Sequence, residues 1–162
     1  MKKLIDMKLL NIYIDQDKTE ILARLLGSNI TDGSLLINKN NIYLCSRFNL
    51  GEKIDAENVI SDIKKLGFDN IYVKNEINIF NEKITYNTWR VQKCGAFAYL
   101  MKIIGCTIGK KTENIKILPE WILKANNKVK IEFLNAYIGG DGCKISILKN
   151  KSSSKISLHE IC

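Results

Sequence analysis

The chain has few of the residues that most often do chemistry. Its one histidine, His159, stands three positions before Cys162 and reads as structural or exposed rather than catalytic. The five cysteines, Cys45, Cys94, Cys106, Cys143 and Cys162, form no C-x-x-C pair, so the ligand spacing of a zinc site is missing. Their odd number and irregular spacing read as free thiols in a reducing compartment. Asp6 and Lys8 interrupt the opening MKKLIDMKLL, so no long apolar run starts the chain. Neither a signal peptide nor a membrane span is expected, and the protein reads as intracellular and not secreted. The single proline, Pro119, suits the first turn of a short helix over 120–125.

What is abundant points elsewhere. Hydrophobic residues make up 46% of the 162 positions, enough for a core and against disorder. The formal net charge is +8, from 25 Lys+Arg against 17 Asp+Glu. Such an excess suggests a polyanionic partner, nucleic acid first and an acidic membrane surface second.

The patterning predicts alternating helices and strands. Asp17 caps a helix over 18–31, with Glu20 at the reciprocal capping position and Ile21, Leu22, Leu25 and Leu26 as its apolar stripe. Asp32-Gly33 ends it, the glycine supplying a turn conformation that other residues resist. Strands follow over 34–38 and 42–47, joined by a turn at 39–41. A second amphipathic helix spans 55–66 and stops at Gly67. Residues 71–73 and 77–80 read as two short strand pieces, 84–93 as a longer strand and 95–104 as a helix. A loop carries Lys110, Lys111 and Lys116. A helix over 128–140 ends in Asp141-Gly142, and a strand over 144–148 follows. Residues 1–17 carry little information.

The order helix, two strands, helix, two strands, helix then begins again, as in an internal repeat. A shift of 109 residues carries Asp32-Gly33 onto Asp141-Gly142, Leu25 onto Leu134, Gly27 onto Ala136 and Thr31 onto Gly140. Small residues four apart share one helix face. The two faces can approach closely, which would bring Asp32 and Asp141 together at the helix ends. A carboxylate at a helix C-terminus is disfavoured by roughly 0.3–1 kcal/mol, and two converging carboxylates repel each other. A divalent cation removes both penalties, and two oxygen donors with open positions suit Mg²⁺ with water and phosphate oxygens. The alternative is that both Asp-Gly pairs are ordinary helix stops.

These residues carry a family resemblance. LARLLGSNITDGSL (Leu22 to Leu35) and FLNAYIGGDG (Phe133 to Gly142) resemble the two signature helices of the LAGLIDADG homing endonucleases, in the style of the intein-associated branch. Between them, IGCTIGKKTENIKILPEWI (Ile104 to Ile122) is similar to that branch's lysine block. The resemblance implies an α+β fold, an αββαββα half over residues 1–125 with the lysine loop, and over 126–162 the second signature helix with the start of an incomplete second half. It also implies signature helices at a pseudo-two-fold axis and a sheet saddle on double-stranded DNA. Mg²⁺ would sit between Asp32 and Asp141, with Lys116, three before Pro119, assisting hydrolysis.

In the strand over 84–93, Tyr86, Thr88, Arg90 and Gln92 share one face. Such a face can read base edges in a major groove. Arg47, Lys39, Lys74, Lys110 and Lys111 are candidates for phosphate contacts.

Only 20 residues follow Gly142, whereas a second half would need about as much chain as the first. The chain also has no His-Asn terminus and is not expected to splice itself. Three explanations stand open: a truncated or decayed copy, one piece of a split gene, or a homo-oligomer that supplies the rest. The expected function is site-specific, Mg²⁺-dependent DNA cleavage. The alternatives are a catalytically inactive DNA- or RNA-binding remnant of maturase-like kind, and an α/β protein whose repeats are coincidental.

Overall fold

The computed structural model describes residues 2–10, 16–38, 43–80, 84–109 and 118–141. The predicted strand at 144–148, the lysines Lys39, Lys110, Lys111 and Lys116, and Cys143, His159 and Cys162 lie outside the described residues, as does the side chain of Asp141. The elements run α1 (Lys2–Asp6), α2 (Gln16–Asp32), β1 (Gly33–Asn38), β2 (Tyr43–Leu50), α3 (Lys53–Lys65), β3 (Tyr72–Phe80), β4 (Ile84–Cys94), α4 (Ala96–Ile104), α5 (Glu120–Lys124) and α6 (Asn127–Asp141). From α2 to α4 this is the expected αββαββα order, and it continues into the helices α5 and α6. The short α1 was not legible in the sequence; it buries Leu4 in the core.

The four strands form one antiparallel sheet in the order β1-β2-β4-β3. Strand side chains alternate between faces. Leu44, Ser46, Phe48 and Leu50 of β2 are buried, as are Leu35 of β1 and Val91 of β4. Leu22, Leu25 and Leu26 of α2, Val59 and Ile63 of α3, and Phe97, Leu100 and Met101 of α4 complete this core. Phe68 meets Phe97 edge to face, with ring centroids 5.4 Å apart. Gly67 ends α3 at φ +87°, a backbone conformation that glycine adopts freely.

Four local readings need correction. Strand β3 is continuous from Tyr72 to Phe80 rather than two pieces. The residues between the two predicted pieces, Lys74-Asn75-Glu76, pair along β4, and Lys74 and Glu76 bond each other. Helix α2 starts at Gln16, so Asp17 lies inside its first turn. Glu20, one turn further in, is buried and takes an ion pair from Lys128 at 3.0 Å. Gly33 has no left-handed φ, and α2 runs directly into β1. Its glycine is required by crowding, because a Cβ there would lie 2.6 Å from the Asn29 Cα. The fourth concerns Cys45 and Cys94, which are joined rather than free. They are 49 positions apart in sequence but directly opposite in the β2–β4 register, with Cα atoms 4.0 Å apart.

Helix α6 packs along α2. Val129 and Phe133 are buried, whereas Ile131, Leu134 and Ile138 are 54%, 49% and 55% exposed along its other side. One guanidinium ties three helices together. Arg24 of α2 donates from Nε and Nη2 to both carboxylate oxygens of Asp62 on α3, at 2.9 and 2.8 Å, and from Nη1 to Glu132 on α6 at 2.9 Å. The Asp62 hydrogen bond above all, with Glu132 adding to it, holds the Arg24 charge more firmly than in an ordinary arginine. Arg24→Met removes the shared cation and leaves Asp62 buried without it. Because Arg24 is itself partly exposed, the expected loss is about 2 kcal/mol, below the full cost of breaking a buried pair. In a chain of this size that lowers the thermal midpoint by roughly 4–8 °C. An unchanged melting curve would show that the bridge contributes nothing.

Candidate functional site

The two signature helices meet as their small residues predict. A Cβ on Gly27 would lie 2.7 Å from the Phe133 carbonyl oxygen and 3.0 Å from the Ala136 Cβ. One turn on, a Cβ on Gly140 would collide with the Thr31 hydroxyl and lie 2.6 Å from Asp32 Oδ2. Glu20 pairs with Lys128 and Arg24 with Glu132 further back along the same seam. Contacts at offsets of 108 and 109 residues therefore repeat over three turns, and α2 and α6 are parallel and in register. The Thr31 hydroxyl is drawn inward, donating to the carbonyls of Gly27 and Ser28 at 3.3 Å.

This seam carries the ends of both helices to one place. The Asp32 carboxylate lies against the Gly140 backbone, where any side chain would occupy its space. The next residue is Asp141, the last of α6. Asp32 also lines one end of a cleft of about 380 Å³ between α2, α3 and α6, together with Ser28, Gly139 and Gly140. Among the described residues no group of three or more His, Cys, Asp or Glu could hold a metal ion. A cation held here would have Asp32, and the adjoining end of α6, as its protein donors. The lack of a side chain at Gly140 is what lets the Asp32 carboxylate lie against the end of α6.

The sheet's polar face is the second part of the site. By the strand register, Arg47 lies opposite Gln92, Asn49 opposite Arg90, Lys74 opposite Arg90 and Glu76 opposite Thr88. The candidates Thr88, Arg90, Gln92, Arg47 and Lys74 are thus gathered on one face. They are linked to each other: Arg47 Nε donates to Gln92 Oε1 at 3.4 Å and Arg90 Nε to Asn49 Oδ1 at 3.4 Å. Glu76 sits between Lys74 at 3.0 Å and Arg90 at 2.8 Å. The Lys74 hydrogen bond, then the charges around it, hold the Glu76 carboxyl below the ordinary range. Sequence reasoning missed Asn49, Tyr72 and Glu76 on this face, although period-two alternation along β2 and β3 carries the signal. After α4, Gly109 donates its backbone N–H to the Leu35 carbonyl at 2.9 Å, which brings the chain just before Lys110 to the edge of β1.

No family model matches the chain. It is 33% identical over 151 residues to the DNA-directed RNA polymerase subunit Rpo1N of Methanocaldococcus jannaschii, a match to 87% of this chain and 11% of that protein. It is 36% identical over 143 residues to the replication factor C small subunit of the same organism, matching 85% and 8%. It is 34% identical over 173 residues to that organism's tRNA-splicing ligase RtcB, matching 98% and 17%. The chain thus spans less than a fifth of each of these relatives. Among solved structures, it resembles the homing endonuclease I-WcaI bound to its DNA recognition sequence, with a TM-score of 0.56, 18% identity, and 87% of this chain covering 59% of that one. It also resembles I-DmoI in complex with DNA and Ca, with a TM-score of 0.50, 20% identity, and 80% covering 61%. No described helix is long and apolar enough to cross a membrane. With its parallel signature helices beside a four-stranded antiparallel sheet, the chain has the LAGLIDADG homing-endonuclease fold.

Proposed function

We propose that the chain is a site-specific DNA endonuclease, or the greater part of one, that hydrolyses phosphodiester bonds at the convergent ends of α2 and α6. The carrying observation is the in-register seam that sets Asp32 against the Gly140-Asp141 end of α6. Asp32 and Asp141 would hold Mg²⁺. When bound, the ion supplies charge neutralisation at the phosphate and an activated water. Lys116 is assigned the neighbouring cation. Arg47, Lys74 and Arg90, with Lys39, Lys110 and Lys111, would neutralise phosphates, while Thr88 and Gln92 would present polar groups to base edges.

The matched relatives support a mobile, intein-related origin. A polymerase subunit, a replication factor and an RNA ligase have no activity in common, yet each contains a segment like this chain that makes up 8–17% of its length. A segment shared on those terms behaves as an insertion with a function of its own. On this reading, residues 1–125 form one half of the DNA saddle, and 126–162 open a second half that further chain or a second copy would complete.

The test uses a fluorescent 30-base-pair duplex and a plasmid pool with random genomic inserts. Binding should weaken with salt at a log–log slope of about −4, as expected for four or five phosphate contacts. Discrete linear products should form with Mg²⁺ and vanish with EDTA. Salt-dependent binding with no cutting in Mg²⁺ or Mn²⁺ would replace this reading with the inactive remnant. Absence of binding would sink both.

A further inference from the structure

The polar face of the sheet contains one covalent feature that DNA binding alone does not use. Cys45 of β2 and Cys94 of β4 stand directly opposite each other and are joined by a disulfide. By alternation they share a face with Arg47, Arg90 and Gln92. Direct cross-strand neighbours bring their Cβ atoms close enough for such a bond. The Gln92 amide donates to the Cys45 sulfur at 3.1 Å and to the Cys94 sulfur at 3.5 Å. Its oxygen accepts from Arg47 Nε at 3.4 Å. A continuous path therefore runs from the sulfur pair through Gln92 to Arg47.

We propose that Cys45–Cys94 is a reversible thiol–disulfide site that tunes DNA affinity by fixing the orientation of Gln92 and Arg47. The proposal rests on the DNA-binding reading of this face. In the oxidised state the two sulfurs act as acceptors only, so the amide can present only its NH₂ group to them, and its oxygen is left to hold the guanidinium. In the reduced state each sulfur carries a proton and becomes a donor. Two thiols also cannot share the place of two bonded sulfurs, so at least one must rotate away. The Gln92 amide loses its fixed orientation and Arg47 loses its partner. A pre-organised face binds more tightly than one that must be ordered at the moment of binding.

The chemistry balances with a small dithiol as reductant. Its thiolate attacks the sulfur of Cys94, which is less buried than Cys45. The Cys45–Cys94 bond breaks, and Cys45 leaves as a thiolate that takes a proton. The second thiol of the reductant then displaces Cys94, which also takes a proton, and the reductant departs as a cyclic disulfide. The two electrons come from the dithiol, and oxidised glutathione reverses the change through the same mixed-disulfide chemistry. Cys106 lies buried in the core and is not part of the bond.

The experiment equilibrates the full chain with either oxidised glutathione or dithiothreitol. The chain is then unfolded and labelled with N-ethylmaleimide, and the labelled cysteines are mapped by mass spectrometry. In parallel, anisotropy measures binding to the 30-base-pair duplex at fixed salt. Cys45 and Cys94 should escape labelling in the first condition and take it in the second. Affinity should fall about fivefold on reduction, the equivalent of roughly one lost hydrogen bond. The Cys45→Ser/Cys94→Ser double variant should bind like the reduced chain in both conditions. Labelling of both cysteines under oxidised glutathione overturns the proposal. So does equal, measurable affinity in the two states, or a double variant that still responds; either leaves the DNA-binding reading standing. No binding in either state overturns the proposal together with the reading beneath it.

Discussion

Asp32→Asn is expected to cut DNA cleavage steeply while leaving duplex binding and the fold intact. The substitution keeps the shape that packs against Gly140 and removes only the charge. The loss of turnover should be on the order of 10²–10³-fold, the effect of deleting one pre-organised charge-stabilising group. On the proposed reading the sheet face carries binding, so the affinity for the 30-base-pair duplex should stay within about twofold when one carboxylate is neutralised. Stability should change little, because asparagine keeps the shape of the side chain that ends α2. The three readouts separate the possibilities. Cleavage that survives ends the proposed site. Cleavage lost together with a lowered midpoint would mean that Asp32 holds the fold and does not take part in the chemistry.

Gly27→Val should be the most destabilising single change at the seam, at about 3 kcal/mol. A Cβ at this position meets backbone, the Phe133 carbonyl oxygen at 2.7 Å, and the Ala136 Cβ at 3.0 Å. Backbone cannot rotate out of the way as a side chain can, so α2 and α6 must separate. Overpacking typically costs 1–3 kcal/mol, and a wedge between two helices belongs at the upper end. Urea denaturation should show the midpoint falling with little change in slope. Gly139→Ala is the control: the space around Gly139 is open, and alanine is the better helix former, so a gain of about 0.5 kcal/mol is expected. Equal effects from the two substitutions would mean that the close approach does not exist in solution.

The seam was legible in the sequence because it obeys local rules. Small residues four apart on two helices, each followed by Asp-Gly, predict a close parallel approach, and Gly27 against Ala136 and Thr31 against Gly140 make it. The alternation that put Thr88, Arg90 and Gln92 on one face was legible for the same reason. What escaped depends on the register between distant segments. Nothing near Cys45 in the chain marks Cys94 as its neighbour; the β2–β4 pairing does that. Arg24, Asp62 and Glu132 are ordinary helix charges until three helices bring them together. Glu20 looked like a local cap, and its ion pair with Lys128, 108 positions away, could not be read from the neighbouring residues. At Gly33 the residue type was read correctly and its reason was not, because crowding by Asn29 is invisible without the packed helix.

The one-sided packing of α6 has a consequence for motion. Under the 109-residue shift, Ile131, Leu134 and Ile138 fall on Leu22, Leu25 and Asn29 of α2, all at most 2% exposed. The same helical stripe is sealed under a sheet in one helix and about half open to water in the other. Segments with fewer buried contacts open at lower free energy than the core. Helix α6 is therefore expected to fray before the sheet and its polar face, and on the proposed reading each such event would take Asp141 away from Asp32. On that reading the pair of acids would be an intermittent arrangement, with a lifetime set by how firmly α6 is held. Anything that settles on the open stripe lengthens that lifetime without touching either carboxylate.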